Sequence, residues 1–403
     1  RSRSARRLRT APPLLRPSAR SLMSKRPRDE GRRARIAVVG TGGWCQGWHM
    51  PNLAARDDAE IAAIVDKQML TTSVYNKDML DLEGLSKKYG GVPTYRSLDE
   101  LLADSDVART VDGVMCATNH ASHYELGAKA LRAGKHLMME KPMTTDVKEA
   151  RALYDEAQAH PSLCFVLNNT ANWASGCVRA AELVAAGRIG EIRHVNCMLA
   201  APLSMLFEDA SNDTWVKATG TMKGNGFGWG QFSHTFAWVF KVTGLTPTKV
   251  YAVCGKSKTS GADIHDALVV TCTNGATISA TGVGTSAGSA KLCGNWIFGT
   301  EGQLTFSGKA VSHDANPDGM VPRLELVCHD GTSELGPEFE FEHLSQSGTG
   351  PGSMDALVNA CLGKSYNVAA GAGEGLKAVA TIDAMYRSAL SGLPEDVEGC
   401  GSL

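Results

Sequence analysis

The apolar run Ile36-Ala37-Val38-Val39 ends in Gly40-Thr41-Gly42-Gly43, and much further on a second apolar run ends in Glu140-Lys141-Pro142. The first has the shape that receives a dinucleotide pyrophosphate. A phosphate needs backbone N–H groups with no side chain in the way, and a helix N-terminus supplies them. Gly40 allows the tight turn and Gly42 the close approach of the pyrophosphate. The third glycine of the usual fingerprint falls at Cys45, and Gly43 and Gly47 lie nearby but out of register. Asp66 ends the next apolar run, where a carboxylate accepts hydrogen bonds from the adenosine ribose and repels a 2′-phosphate. That favours NAD over NADP, although Lys67 beside it softens the repulsion. An ordinary strand-to-helix turn and a solvated acid are the plainer readings of the same residues. Lys141 offers a cation at the edge of this unit, and a cis bond before Pro142 would fix its direction. A held cofactor and a cation at one sheet edge point to an oxidoreductase.

These groups meet only if strands carry them to one edge. From Arg35 onward, short apolar runs alternate with helical stretches. Strands are expected at 35–40, 61–66, 112–117, 136–140 and 163–168, with helices at 98–103, 124–133 and 147–159. Asp146 can cap the last helix, with Glu149 three residues on. Strands alternating with helices give a parallel sheet with helices on both faces, a Rossmann-type domain. Residues 67–83 exceed a usual connection and read as a surface insertion.

After Asn168 the pattern changes. A helix at 177–186 precedes strands at 191–199, 249–255, 267–272, 276–282, 295–298, 303–306, 324–328 and 338–341. Asn274-Gly275 between two of them is a hairpin turn, so this sheet is expected to be mainly antiparallel. Helices at 354–362 and 374–390 end the chain, the second with Leu376, Val379, Asp383, Tyr386 and Leu390 on one face. The expected division is a basic extension at 1–33, a Rossmann domain at 34–168, an α/β domain at 169–391 and a tail at 392–403.

The 403 residues favour two domains. No apolar run approaches the length of a membrane span, and the eleven cysteines include no C-x-x-C pair. Neither a membrane partner nor a zinc ribbon is expected, and scattered free thiols fit a reducing, cytoplasmic setting. Residues 1–33 hold 12 of the 41 bases and 2 of the 42 acids, which leaves the body near −11. An acidic body is a poor nucleic-acid surface. The Arg/Ser/Pro-rich head is similar to an organelle transit peptide, for a plastid or mitochondrion. A disordered tail, or sequence upstream of a start at Met23, reads it equally well.

The pieces Gly40-Thr41-Gly42, Ile64-Val65-Asp66, Ala117–His123, Ala130–His136 leading into Glu140-Lys141-Pro142, Ala186–Glu191 and Gly299–Gly302 resemble the glucose-fructose oxidoreductase / inositol dehydrogenase / rhizopine-catabolism family. The resemblance runs from about Ala34 to Ser391, and the block from Gly127 to Pro142 is its most specific part. It implies a Rossmann domain followed by an α/β domain whose large sheet makes homo-oligomer contacts, as a dimer or tetramer. It implies hydride transfer between NAD or NADP and a carbinol or carbonyl carbon of a sugar, polyol or cyclitol.

With it, the cofactor set becomes Gly40, Gly42, Gly43, Trp44, Asp66, Ala117, Thr118, Asn119, His123, Glu140 and Lys141. Lys141, Asn172, Gln231 and His234 become the substrate set, and no metal is expected. His234 is then the general acid/base and Lys141 the stabiliser of charge on the reacting oxygen. By spacing alone His234 also reads as a half-buried histidine among aromatics, and His123 as a structural one.

Three departures stand out. Asn119 replaces the usual proline, which is expected to reshape a cofactor-side loop. Asn168–Asn172 stands where many members have arginine. Gly230 occupies the place of the cyclitol dehydrogenases' aspartate, four residues before His234. The last keeps a second function open, a catalytically inactive dinucleotide-sensing or regulatory protein. Gly284-Thr285-Ser286-Ala287-Gly288 matches a serine-nucleophile pattern, but no helix is expected after it.

Overall fold

The computed structural model describes residues 31–71, 73, 76–208, 226–288, 290–311, 323–336 and 351–401. The strand expected at 338–341 and nearly all of the basic segment 1–33 lie outside them.

The first sheet is built from β1 (Ala34–Val39), β2 (Ala59–Val65), β3 (Thr94–Tyr95), β4 (Gly113–Cys116), β5 (His136–Met139) and β6 (Phe165–Leu167). All pair in parallel, in the order β3-β2-β1-β4-β5-β6, the dinucleotide-binding arrangement. Its strands read as unbroken apolar runs because helices cover both faces. Those helices are α1 (Met50–Ala54), α2 (Leu82–Lys88), α3 (Leu98–Ala103), α4 (Ser105–Ala108), α5 (His123–Arg132) and α6 (Val147–Ala159). Asp146 caps α6 by accepting from Lys148 N and Glu149 N.

The second part begins with α7 (Ser175–Ala185), β7 (Ile192–Ala200), α8 (Ser204–Phe207) and α9 (Ser233–Thr243). Strands β8 (Pro247–Lys256), β9 (Asp263–Cys272), β10 (Thr277–Val283), β11 (Ala290–Gly299), β12 (Gly302–Val311), β13 (Arg323–Cys328) and β14 (Ser333–Leu335) follow. After them come α10 (Gly352–Cys361), α11 (Ala372–Ser391) and β15 (Glu395–Asp396). The nine-stranded sheet runs β14-β13-β12-β11-β7-β10-β9-β8-β15, and only the β7–β10 pair is parallel. Asn274-Gly275 turns between β9 and β10, with Gly275 at φ 84°.

One face of this sheet packs on α9 and α11, and among the described residues the other exposes Tyr251, Val253 and Val269. Along β9 buried and exposed residues alternate, as half-buried antiparallel strands do.

Three expectations need correction. Helix α10 packs against the Rossmann sheet, where Met354, Leu357 and Val358 share a core with Ile36 and Val38. The chain therefore returns to its first domain after building most of the second. The segment taken as a tail is built in: β15 pairs with β8, and Cys400 is buried. On α11 the buried line is Leu376, Val379, Ile382 and Met385. Asp383 instead bonds Arg387, and Leu390 is 88% exposed, because the apolar stripe drifts around a helix this long.

Candidate active site

The glycine turn leaves β1 with Gly40 at φ 91°, where a side chain would meet Ala117 O at 2.6 Å. Only glycine lets the chain turn this close to the next strand. A Cβ on Gly42 would point into open space, which leaves room for a ligand against the backbone. Gly43 differs from its expected role: a Cβ there would lie 1.9 Å from Ser73 Oγ. Its small size makes room for Ser73, in the connection after β2.

That segment is fastened to the turn. Gln46 Nε2 donates to Thr41 O and Leu80 O, both at 2.9 Å, and Thr71 Oγ1 donates to Thr41 O at 2.8 Å. Trp44, 45% exposed, stacks on Trp48 beside it.

Asp66 stands at the end of β2 and clamps the same turn. Its Oδ2 accepts from Thr41 N at 2.7 Å and Thr41 Oγ1 at 2.8 Å, and its Oδ1 accepts from Gln68 N. A carboxylate has about four acceptor sites, so most of this one is in use.

Asn119 sits at φ −69°, ψ 154°, the conformation proline would impose. Its side chain and carbonyl instead accept from Ser122 Oγ, whose hydroxyl also reaches Thr118 Oγ1 at 2.9 Å. The expected reshaping of this loop does not occur. His123 is fully buried and bridges Pro142 O (2.8 Å) and Thr118 O (3.3 Å). Burial pulls its imidazole below the ordinary value despite both carbonyls. His123 thereby positions the two loops and has no surface for a ligand.

Lys141–Pro142 is a cis peptide bond. Glu140 accepts from Asn168 Nδ2 and from His49 Nε2, both at 2.7 Å, and from Lys141 N at 3.1 Å. Ser353 of α10 donates to Asn168 Oδ1 at 2.6 Å and completes the network. Burial would raise the Glu140 carboxyl, but the bond and charge of His49, the Lys141 ammonium and the Asn168 amide outweigh it and hold it at about 2. His49, Asn168 and Ser353 were missed as a unit because their partners are distant in sequence.

The Lys141 ammonium donates to Gly230 O at 2.8 Å. Gly230 lies in a π-helical turn, Gly228–Phe232, that runs into α9. His234, 8% exposed, follows four residues on, in the first turn of α9. Gly230, which stands in the place of the cyclitol dehydrogenases' aspartate, thus receives the lysine on its carbonyl. Gln231, also buried, leaves Oε1 without a hydrogen-bond partner among the described residues. Asn172 is 1% exposed; its amide donates to Ala237 O and Ala369 O and leaves Oδ1 without a partner among the described residues. It ties α9 to the approach to α11. Gly284–Gly288 runs as a loop between β10 and β11 with no helix after it.

No helix of the described residues is long and apolar enough to cross a membrane. All eleven cysteines are free.

Residues 34–168 match the family model described as an oxidoreductase family, NAD-binding Rossmann fold, and residues 177–305 match the C-terminal domain of the same family. An uncharacterized oxidoreductase of Schizosaccharomyces pombe is 31% identical over 159 residues, 39% of each chain. D-xylose 1-dehydrogenase (NADP(+)) of Hypocrea jecorina is 35% identical over 99 residues, 25% of this chain and 24% of that one. The chain spans about two fifths of the length of the curated relatives it matches first. The structure of scyllo-inositol dehydrogenase from Lactobacillus casei with bound NAD(H) and scyllo-inositol superposes with a TM-score of 0.68 at 19% identity, over 91% of this chain and 99% of that one; at this identity the likeness is one of fold.

The ionised Glu140 carries a checkable pH signature. Its pKa is depressed in the fold, so its contribution to stability is present above the ordinary value of 4.5 and lost as pH falls toward 2. Glu140→Gln is expected to cost roughly 3 kcal/mol at pH 7 and to flatten the pH dependence of stability between about 5 and 2. Urea unfolding across that range measures both; an unchanged slope would dismiss the account. Two domain matches in register and a Rossmann sheet with its glycine turn in place lead to one conclusion: the chain belongs to the GFO/IDH/MocA oxidoreductase family, and its first domain is an NAD-binding Rossmann fold.

Proposed function

We propose that this chain is an NAD(P)-dependent dehydrogenase or reductase acting on a carbinol or carbonyl carbon of a sugar, polyol or cyclitol. The observation that carries this reading is the Lys141–Gly230 bond, which joins the end of the fifth Rossmann strand to the turn leading into the helix of buried His234. The residues fit a dinucleotide: Gly42 leaves its backbone open, and the ends of β1 and β4 meet at the switch in strand order. Gly40, Gly42, Trp44, Asp66 and the loop Ala117–Asn119 would hold it, with NAD favoured by Asp66. When bound, the nicotinamide supplies the hydride acceptor or donor.

The proton is left to the chain. Lys141 has three ammonium hydrogens, and Gly230 takes one. The ammonium can turn toward a reacting oxygen and steady its negative charge. His234 accepts the hydroxyl proton in oxidation and returns it in reduction. Gln231 Oε1 is suited to accept from a substrate hydroxyl.

The outer face of the second sheet exposes Tyr251, Val253, Val269, Leu292 and Phe298. A second copy of the chain, as a dimer or tetramer, is the partner this face fits.

Incubation with NAD or NADP and a panel of polyols, followed by absorbance of the reduced cofactor, tests the activity. Lys141→Met and His234→Ala are each expected to lower kcat by about 100-fold or more with cofactor binding retained. Wild-type turnover in either removes its role, and cofactor binding without reduction of any pair favours the dinucleotide-sensing alternative. Gly42→Val is expected to melt like the parent yet lose cofactor affinity in calorimetry; retained affinity contradicts the proposed cradle. Sedimentation velocity is expected to show a dimer or tetramer that Val253→Lys dissociates; a monomeric parent ends the oligomer reading.

A further inference from the structure

Two buried carboxyls lie behind the π-helical turn, and the mechanism above uses neither. Asp263 and Asp266, both on β9, are each 4% exposed. Asp263 Oδ2 accepts from Gly228 N at 2.7 Å, and Asp263 Oδ1 accepts from Tyr386 Oη of α11 at 2.9 Å. Gly226, at φ 150°, presses its backbone on the same carboxylate, since a Cβ there would fall 1.7 Å from Oδ1. Gly228 is equally confined, with Tyr386 Oη 2.5 Å from where its Cβ would stand. Trp229 packs on the Tyr386 ring, 5.7 Å between centroids. The contact continues toward the site: Gly226 O accepts from Gly230 N at 3.0 Å, and Gly230 O accepts from the Lys141 ammonium.

We propose that Asp263 is a positioning residue of this site: through Gly226 and Gly228 it fixes the turn that carries Gly230, and so sets where Lys141 and His234 stand. The proposal rests on the catalytic reading above for its consequence, but not for its geometry. A π-helical turn has poorer intrinsic geometry than an α-helix, and one this rich in glycine needs an outside anchor. A buried carboxylate bonded to its backbone N–H supplies one.

The second acid keeps the anchor in working form. Burial, and then the charge of Asp263, push the Asp266 carboxyl up to about 9, so it holds its proton at neutral pH. Asp263 is the member of the pair that receives both donors, Gly228 N and Tyr386 Oη. The other titratable groups bearing on the pair are Tyr386 from α11 and Cys254 from β8, with Lys256 acting on that thiol. Burial raises both the phenol and the thiol, so they too stay protonated. Once Asp266 ionises, two like charges share one dry site and the anchor loosens.

Amide hydrogen exchange of the full chain, expressed as protection factors, reads this directly. In Asp263→Asn, protection at residues 226–234 is expected to fall about tenfold or more while β1 is unchanged. The parent is expected to lose protection there between about pH 7 and 10, and Asp266→Asn to remove that dependence. With a working substrate, Asp263→Asn should lower kcat by about 10- to 100-fold and leave KM and the cofactor Kd near the parent's. Unchanged protection at 226–234 in Asp263→Asn, or an equal fall in β1, overturns the proposal, the latter marking a merely global loss of stability. If no substrate turns over in the parent, the catalytic reading fails while the exchange result still decides whether Asp263 holds the turn.

Discussion

The bond from the Lys141 ammonium to the carbonyl of Gly230 is the contact on which the rest of the site depends. It crosses from the end of a Rossmann strand to the helix that supplies His234. A charge-assisted bond of this kind contributes about 1.5–3 kcal/mol, enough to fix one side-chain direction. Everything near it is arranged to hold its two ends still. On the lysine side, Glu140 is locked by His49 and Asn168, and His123 grips Pro142. On the carbonyl side, Asp263 holds the turn from behind.

Each of these acids solves the same problem of charge away from water. Glu140 has three partners and stays ionised. Asp66 spends its oxygens on the glycine turn. Among the described residues Asp266 has no hydrogen-bond partner, and it keeps its proton instead. The difference follows from what surrounds each group rather than from its type. It also bears on the missing aspartate. A carbonyl at Gly230 receives the lysine without adding charge, and the chain keeps both its ammonium and its imidazole.

Much of the fold was legible in the chain. Fully apolar strands of two-sided burial, alternation in the second sheet, the Asp146 cap and the Asn274-Gly275 turn are local patterns with local causes. Helix α10 was placed correctly as a helix but in the other domain, because nothing within its ten residues says which sheet its apolar face will meet. The π-helical turn was likewise invisible, since its glycines are read by Tyr386 and Asp263 and not by their neighbours. Asn119 misled for a related reason. A missing proline signals a changed loop, yet the Ser122 hydroxyl holds the same backbone angles.

The sequence by itself determined the dinucleotide sheet, the glycine that turns it, and the lysine and histidine fit for proton and charge work. Period, residue type and turn chemistry act over a few neighbouring residues, so a linear reading reaches them. Only the tertiary structure decided that Gly43 makes room for Ser73 and that Asn172 is a clamp. It alone set Asp263 behind the turn and Lys141 on Gly230. Those assignments depend on distances between strands and helices far apart in the chain, which burial and packing fix only when the whole molecule closes.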